Sequence, residues 1–70
     1  MPWFEWREVT FPELITFCLG KQIESSYTDW QQVPEDKPRI AFDAQYVFFT
    51  NGEACALYSL DVIYIYELNS

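Results

Sequence analysis

The stretch Tyr46-Val47-Phe48-Phe49-Thr50-Asn51-Gly52-Glu53-Ala54-Cys55-Ala56-Leu57 decides how the 70-residue chain is read. Asn-Gly between two apolar runs is the strongest short-range hairpin signal, because both central residues of a type I′ turn need positive φ. A two-residue loop predicts a register with Thr50 opposite Glu53, Phe49 opposite Ala54, Phe48 opposite Cys55, Val47 opposite Ala56 and Tyr46 opposite Leu57. One face then carries Tyr46, Phe48, Cys55 and Leu57, and the other Val47, Phe49, Ala54 and Ala56. Neither face is polar, whereas a half-solvated antiparallel sheet alternates apolar with polar. Both faces therefore need a cover. A short helix supplies one. The other falls to the N-terminal aromatic segment, to Tyr27–Val33, to a second copy or to a different protein.

Downstream, Ser59-Leu60-Asp61 bends the chain into a strand over Val62–Leu68. It sets Ile63, Ile65 and Glu67 against Tyr64, Tyr66 and Leu68, and the phenols suit a half-exposed sheet surface. Upstream, Arg39–Asp43 reads as a short alternating strand joined to the hairpin by Asp43-Ala44-Gln45. From Gln22 to Pro38 the signals weaken to a loop that admits a short strand over Tyr27–Val33 and closes in a polar turn at Pro34–Pro38.

Near the N-terminus, Trp3–Val9 reads as a strand, with Phe4, Trp6 and Glu8 on one side and Trp3, Glu5, Arg7 and Val9 on the other. Thr10-Phe11-Pro12-Glu13 is a capping box with proline in the first turn. Phe11, Leu14, Ile15, Cys18 and Leu19 follow at helical spacing as the expected buried stripe, leaving Phe17 off it. Gly20 gives the left-handed stop and Lys21 complements the helix dipole, so the helix is placed over about Phe11–Leu19. The expected fold is a single α+β domain over residues 1–70. A small antiparallel sheet, made of a C-terminal β-meander of three strands plus one or two N-terminal strands, carries one short helix.

Half of the residues are hydrophobic and 20% are aromatic, so the chain folds despite a net charge of −7 from 11 acidic and four basic residues. Arg7, Lys21, Lys37 and Arg39 are too few to neutralise a row of phosphates, which excludes direct nucleic-acid binding and disfavours anionic membranes. The longest apolar runs are far short of a bilayer span. The start Met1-Pro2-Trp3 lacks the basic and apolar regions of a secretory leader, so the expected location is the cytoplasm, or the host cytoplasm for a phage protein. Cys18 and Cys55 show neither metal nor redox spacing and read first as reduced core thiols, with a single disulfide between them as the alternative.

There is no histidine, and Gly20 and Gly52 are the only glycines. The commonest base and metal ligand are missing, and no phosphate-cradling loop can be built. Carboxylate pairs such as Asp43 with Asp61 or Glu53 have no enclosed cleft to serve. The chain is expected to be non-enzymatic, with no catalytic residues, no cofactor and no metal site. Trp and Tyr dominate binding hot spots, and acidic side chains steer towards basic partners. The residues expected to bind a partner are Trp3, Trp6, Glu5, Glu8, Trp30, Asp29, Glu35, Asp36, Tyr64 and Tyr66. As a class, small acidic aromatic-rich domains of this kind resemble the inhibitors that bacteriophages make against host defence, anti-CRISPR proteins and DNA mimics among them. The resemblance implies a protein-binding inhibitor of a larger, basic, nucleic-acid-binding protein and assigns no residue a role. The alternatives are a homo-oligomeric structural module, such as a homodimer, and a protein that sequesters a small ligand.

Overall fold

A computed structural model describes residues 1–69. Its elements are β1 (Trp3–Val9), α1 (Phe11–Cys18), β2 (Ile23–Tyr27), a 3-10 turn at Trp30–Gln32, β3 (Gln45–Phe49), β4 (Ala54–Leu57) and β5 (Ile63–Asn69). The strands form one five-stranded antiparallel sheet in the order β1-β5-β4-β3-β2. This is the α+β architecture expected, with the C-terminal three-strand meander in the middle of the sheet and an N-terminal strand at each edge.

The hairpin has one residue more in its loop than the sequence suggests. Phe49 pairs with Glu53, its N–H donating to the Glu53 carbonyl at 2.8 Å, and the Gly52 N–H donates to the Phe49 carbonyl at 3.2 Å. Gly52 has φ +90°, while among the described residues none other than glycine has positive φ. Asn51 therefore does not adopt a type I′ turn. Thr50-Asn51-Gly52 is a three-residue loop, a turn closed by a left-handed glycine. The extra residue slips β4 by one position, so Tyr46 faces Ala56, Val47 faces Cys55 and Phe48 faces Ala54. A one-residue slip exchanges the faces of every β4 side chain. The true faces are Tyr46, Phe48, Ala54 and Ala56 on one side and Val47, Phe49, Cys55 and Leu57 on the other.

Each face has its own cover, and both covers belong to this chain. On one side α1 lays Leu14, Phe17 and Cys18 over Val9, Phe49, Cys55, Ile63 and Ile65. The capping box forms as read: Thr10 Oγ1 accepts from the Glu13 N–H, and Glu13 Oε1 accepts from the Thr10 N–H at 3.1 Å. Those bonds to Thr10, with Arg7 beside them, hold the Glu13 carboxyl below its ordinary pKa. Gly20 takes φ +75°, and the Lys21 ammonium donates to the Phe17 carbonyl. The helix is rolled relative to the expected stripe. Phe17 is buried edge-on against Phe49, while Phe11, Ile15 and Leu19 are exposed. A phenyl ring inserted between helix and sheet removes more apolar surface than Ile15 or Leu19 would, which favours this roll.

On the other side the cover is the long connection 28–44. It packs Trp30, Val33, Ala41 and Ala44 over Tyr46, Phe48, Ala54 and Ala56. The hairpin's second face is thus closed without a second copy. Arg39–Asp43 is not a strand: the Ile40 and Ala41 N–H groups both donate to the Tyr46 hydroxyl at 3.0 Å, which turns them inward instead of along a ladder. Nor is Tyr27–Val33 a strand. β2 ends at Tyr27 and the 3-10 turn follows. The strand lies earlier, at Ile23–Tyr27, where a polar-looking run supplies the backbone partners that the outer edge of β3 requires.

Candidate functional site

The connection 28–44 is built from local polar contacts and then clamped to the sheet. Asp29 Oδ1 accepts from the Gln31 N–H at 3.1 Å and starts the 3-10 turn that points Trp30 inward. The Lys37 N–H donates to the Pro34 carbonyl at 3.0 Å, leaving Glu35 and Asp36 exposed at the tip of a turn. Tyr46, fully buried, donates to the Ala41 carbonyl at 2.7 Å besides accepting from the Ile40 and Ala41 amides. One hydroxyl thereby satisfies three backbone groups of a segment without ladder bonds.

Ring contacts tie this connection to the far edge of the sheet. Phe42 lies 5.5 Å from Trp30, and Trp30 lies 6.5 Å from Tyr46. Tyr46 meets Trp6 at 6.2 Å, Trp6 meets Tyr66 at 5.0 Å, and Tyr66 stacks on Phe4 at 5.2 Å. The alanines of β4 leave room for this row. It ends at Phe42, which is 63% exposed, with Ile40 also exposed nearby in sequence.

The electrostatics follow from how the cations are used. Arg7 bonds Glu67 at 2.6 Å and Glu13 at 3.5 Å. Lys21 reaches Glu53 at 3.4 Å, and Lys37 reaches Glu24 at 2.6 Å. Arg39 lies over the Trp30 ring, 4.8 Å from its centroid. Donating to the Glu24 carboxylate raises the Lys37 pKa, and donating to the Glu67 carboxylate raises that of Arg7, so both stay charged. Glu5, Glu8, Asp29, Glu35, Asp36, Asp43 and Asp61 have no cationic partner among the described residues. Four of these seven, Asp29, Glu35, Asp36 and Asp43, sit on the connection 28–44. The carboxylates without an ion pair are therefore concentrated on the cover of one sheet face, where Arg39 keeps its own charge over the Trp30 ring.

The residues expected to bind a partner divide accordingly. Asp29, Trp30, Glu35 and Asp36 belong to the connection. Trp6, Glu8, Tyr64 and Tyr66 share its side of the sheet, through the pairs Trp6 with Tyr66 and Glu8 with Tyr64. Trp3 and Glu5 lie on the helix side, the indole N–H of Trp3 donating to Glu5 at 3.3 Å. Trp6, Trp30, Tyr64 and Tyr66 are half-buried, so they support the surface more than they project from it. A depression of about 330 Å³ lined by Phe4, Tyr66, Phe48, Asp36, Lys37 and Glu24 joins the two groups. Sequence reasoning missed Ile40, Phe42 and Asp43, because Arg39–Asp43 alternates like a strand. Only the preceding Pro38 hinted otherwise.

Among the described residues, no three His, Cys, Asp or Glu side chains gather as a metal site. No described helix is long and apolar enough to cross a membrane. The chain matches no family model, no curated protein and no solved structure.

Proposed function

We propose that this chain is a small non-enzymatic protein-binding module of the inhibitor kind. It seats the acidic, aromatic connection 28–44 on a basic site of a larger nucleic-acid-binding protein. One observation carries this reading. Every cation is engaged inside the fold, while four unpaired carboxylates share one clamped segment with the exposed Phe42 and Ile40. Carboxylates held by a segment that is already ordered lose little entropy on docking, and an apolar residue among them supplies area that charge alone does not. The phage-encoded anti-defence proteins and DNA mimics are the class such a surface resembles. On this reading the chain works in the cytoplasm and competes with duplex nucleic acid for the same basic groove.

The test is affinity capture from the native host with the wild-type chain. A parallel capture uses the variant Asp29→Asn, Glu35→Gln, Asp36→Asn, Asp43→Asn, which keeps every packing contact. The expected result is a basic protein held by the wild-type chain, released by added duplex and not held by the neutralised variant. A captured protein retained equally by both, and indifferent to duplex, overturns the proposal.

A further inference from the structure

The two edges of the sheet differ. β2 is five residues long, its register shifts between Ile23 and Ser25, and Glu24 there is tied to Lys37. Short, bulged and charged, it is blunted against further pairing. β1 is seven residues long, in unbroken register with β5, and among the described residues β5 is its only strand neighbour.

The hydrogen-bond phase across the sheet tells which β1 groups face outward. The Phe49 N–H donates to the Glu53 carbonyl at 2.8 Å, which puts this pair at a bonded position, so alternate β4 residues from Glu53 onward point to β3, and Ala54 and Ala56 point to β5. Their partners Tyr66 and Tyr64 then point back to β4, as does Leu68, whose N–H donates to Glu53 Oε2 at 3.1 Å. Ile63, Ile65 and Glu67 therefore bond β1 through Val9, Arg7 and Glu5. The N–H and C=O groups of Phe4, Trp6 and Glu8 are left on the open edge.

An antiparallel partner must match open residues with open residues, which restricts a two-fold pairing of β1 with itself to a few registers. Centring it on Glu5 places two glutamates opposite one another, and centring it on Arg7 opposes two arginines. Centring it on Trp6 pairs Glu5 with Arg7 of the second copy, Phe4 with Glu8 and Trp3 with Val9. Trp6 then exchanges backbone bonds with its own counterpart. Opposite charges across a strand pair stabilise it and like charges destabilise it. The same register also corrects an imbalance inside the chain. Glu5 sits opposite Glu67 on β5 and has no cationic partner among the described residues.

We infer that the β1 edge is a self-association surface. A second copy adds antiparallel to Trp3–Val9 about a two-fold axis at Trp6, giving a ten-stranded sheet with both helices on one side. This inference does not depend on what the acidic connection binds.

Sedimentation velocity of the full chain between about 1 and 200 µM tests it. The wild-type protein is expected to pass from 8.4 kDa to twice that mass as concentration rises. Two variants fix the surface and the register. Glu5→Lys relieves the Glu5–Glu67 opposition within one chain but faces Arg7 of the other. It should melt no lower than wild type, yet associate about tenfold or more weakly. Glu8→Pro removes an outward N–H at a position where an edge strand tolerates proline, and should leave a folded monomer. A wild-type chain that stays at 8.4 kDa throughout overturns the inference. So does a dimer that Glu5→Lys leaves intact. If Glu8→Pro fails to fold, Glu5→Lys decides alone.

Discussion

The hydroxyl of Tyr46 explains why a segment without ladder bonds can cover a sheet face. It sits at zero exposure and makes three bonds to Ile40 and Ala41. Tyr46→Phe keeps the ring and strips those partners. The expected cost is about 2 kcal/mol, the penalty for buried amides left unpaired, with faster hydrogen exchange at Ile40 and Ala41 than at β3. Unchanged stability and exchange would mean that the connection is held by its rings alone. Cys55 carries a different signature. Burial, with Cys18 beside it, pushes its thiol up to about 12 from 9.0. The unfolded chain therefore releases this proton first, and stability contributed by the neutral thiol falls as pH rises from about 9 to about 12. Urea midpoints at about pH 8 and about pH 10.5 should show a smaller alkaline loss for Cys55→Ala than for wild type. The sequence marks both residues as core. It does not reveal that Tyr46 is a clamp, although a tyrosine in a run where phenylalanine would fill the space hints at a polar partner.

At the scale of elements, α1 tests how side chains choose a face. The helical spacing of Phe11, Leu14, Ile15, Cys18 and Leu19 reads as the inner stripe; Leu14 and Cys18 do pack inward, yet the helix turns Phe11, Ile15 and Leu19 out and Phe17 in. Phe17→Ala is expected to cost about 3 kcal/mol or more, and Ile15→Ala within about 0.5 kcal/mol, in denaturant titrations. The reverse order would restore the stripe read from spacing. The existence of β1, α1 and the three-strand meander is legible in the sequence, because capping residues, Asn-Gly and period-two alternation act locally. The β3–β4 register is not. Asn-Gly serves a two-residue I′ turn and a three-residue loop closed by a left-handed glycine equally well, and the pairing of the whole sheet selects between them. β2 is also hidden, since Ile-Glu-Ser-Ser-Tyr has little strand propensity and forms because the edge of β3 needs a partner.

For the whole molecule, the decisive quantity is where charge is left over. Composition gives a net charge of −7, and it cannot say which carboxylates are neutralised. The fold spends Arg7, Lys21 and Lys37 on Glu67, Glu13, Glu53 and Glu24, and Arg39 on Trp30. Four of the ten residues expected from sequence, Asp29, Trp30, Glu35 and Asp36, are gathered with Phe42 and Asp43 on one segment, whereas Trp3 and Glu5 fall on the opposite face. The most direct measurement of the central claim is the dissociation constant of the captured partner between about 50 and about 300 mM salt. It is taken for the wild-type chain and for the variant neutralised at Asp29, Glu35, Asp36 and Asp43. Affinity of the wild-type chain should fall about tenfold or more across that range, while the variant starts weaker and stays nearly flat. Parallel salt dependences, or a wild-type affinity indifferent to salt, would contradict the assignment of the connection 28–44 as the docking surface.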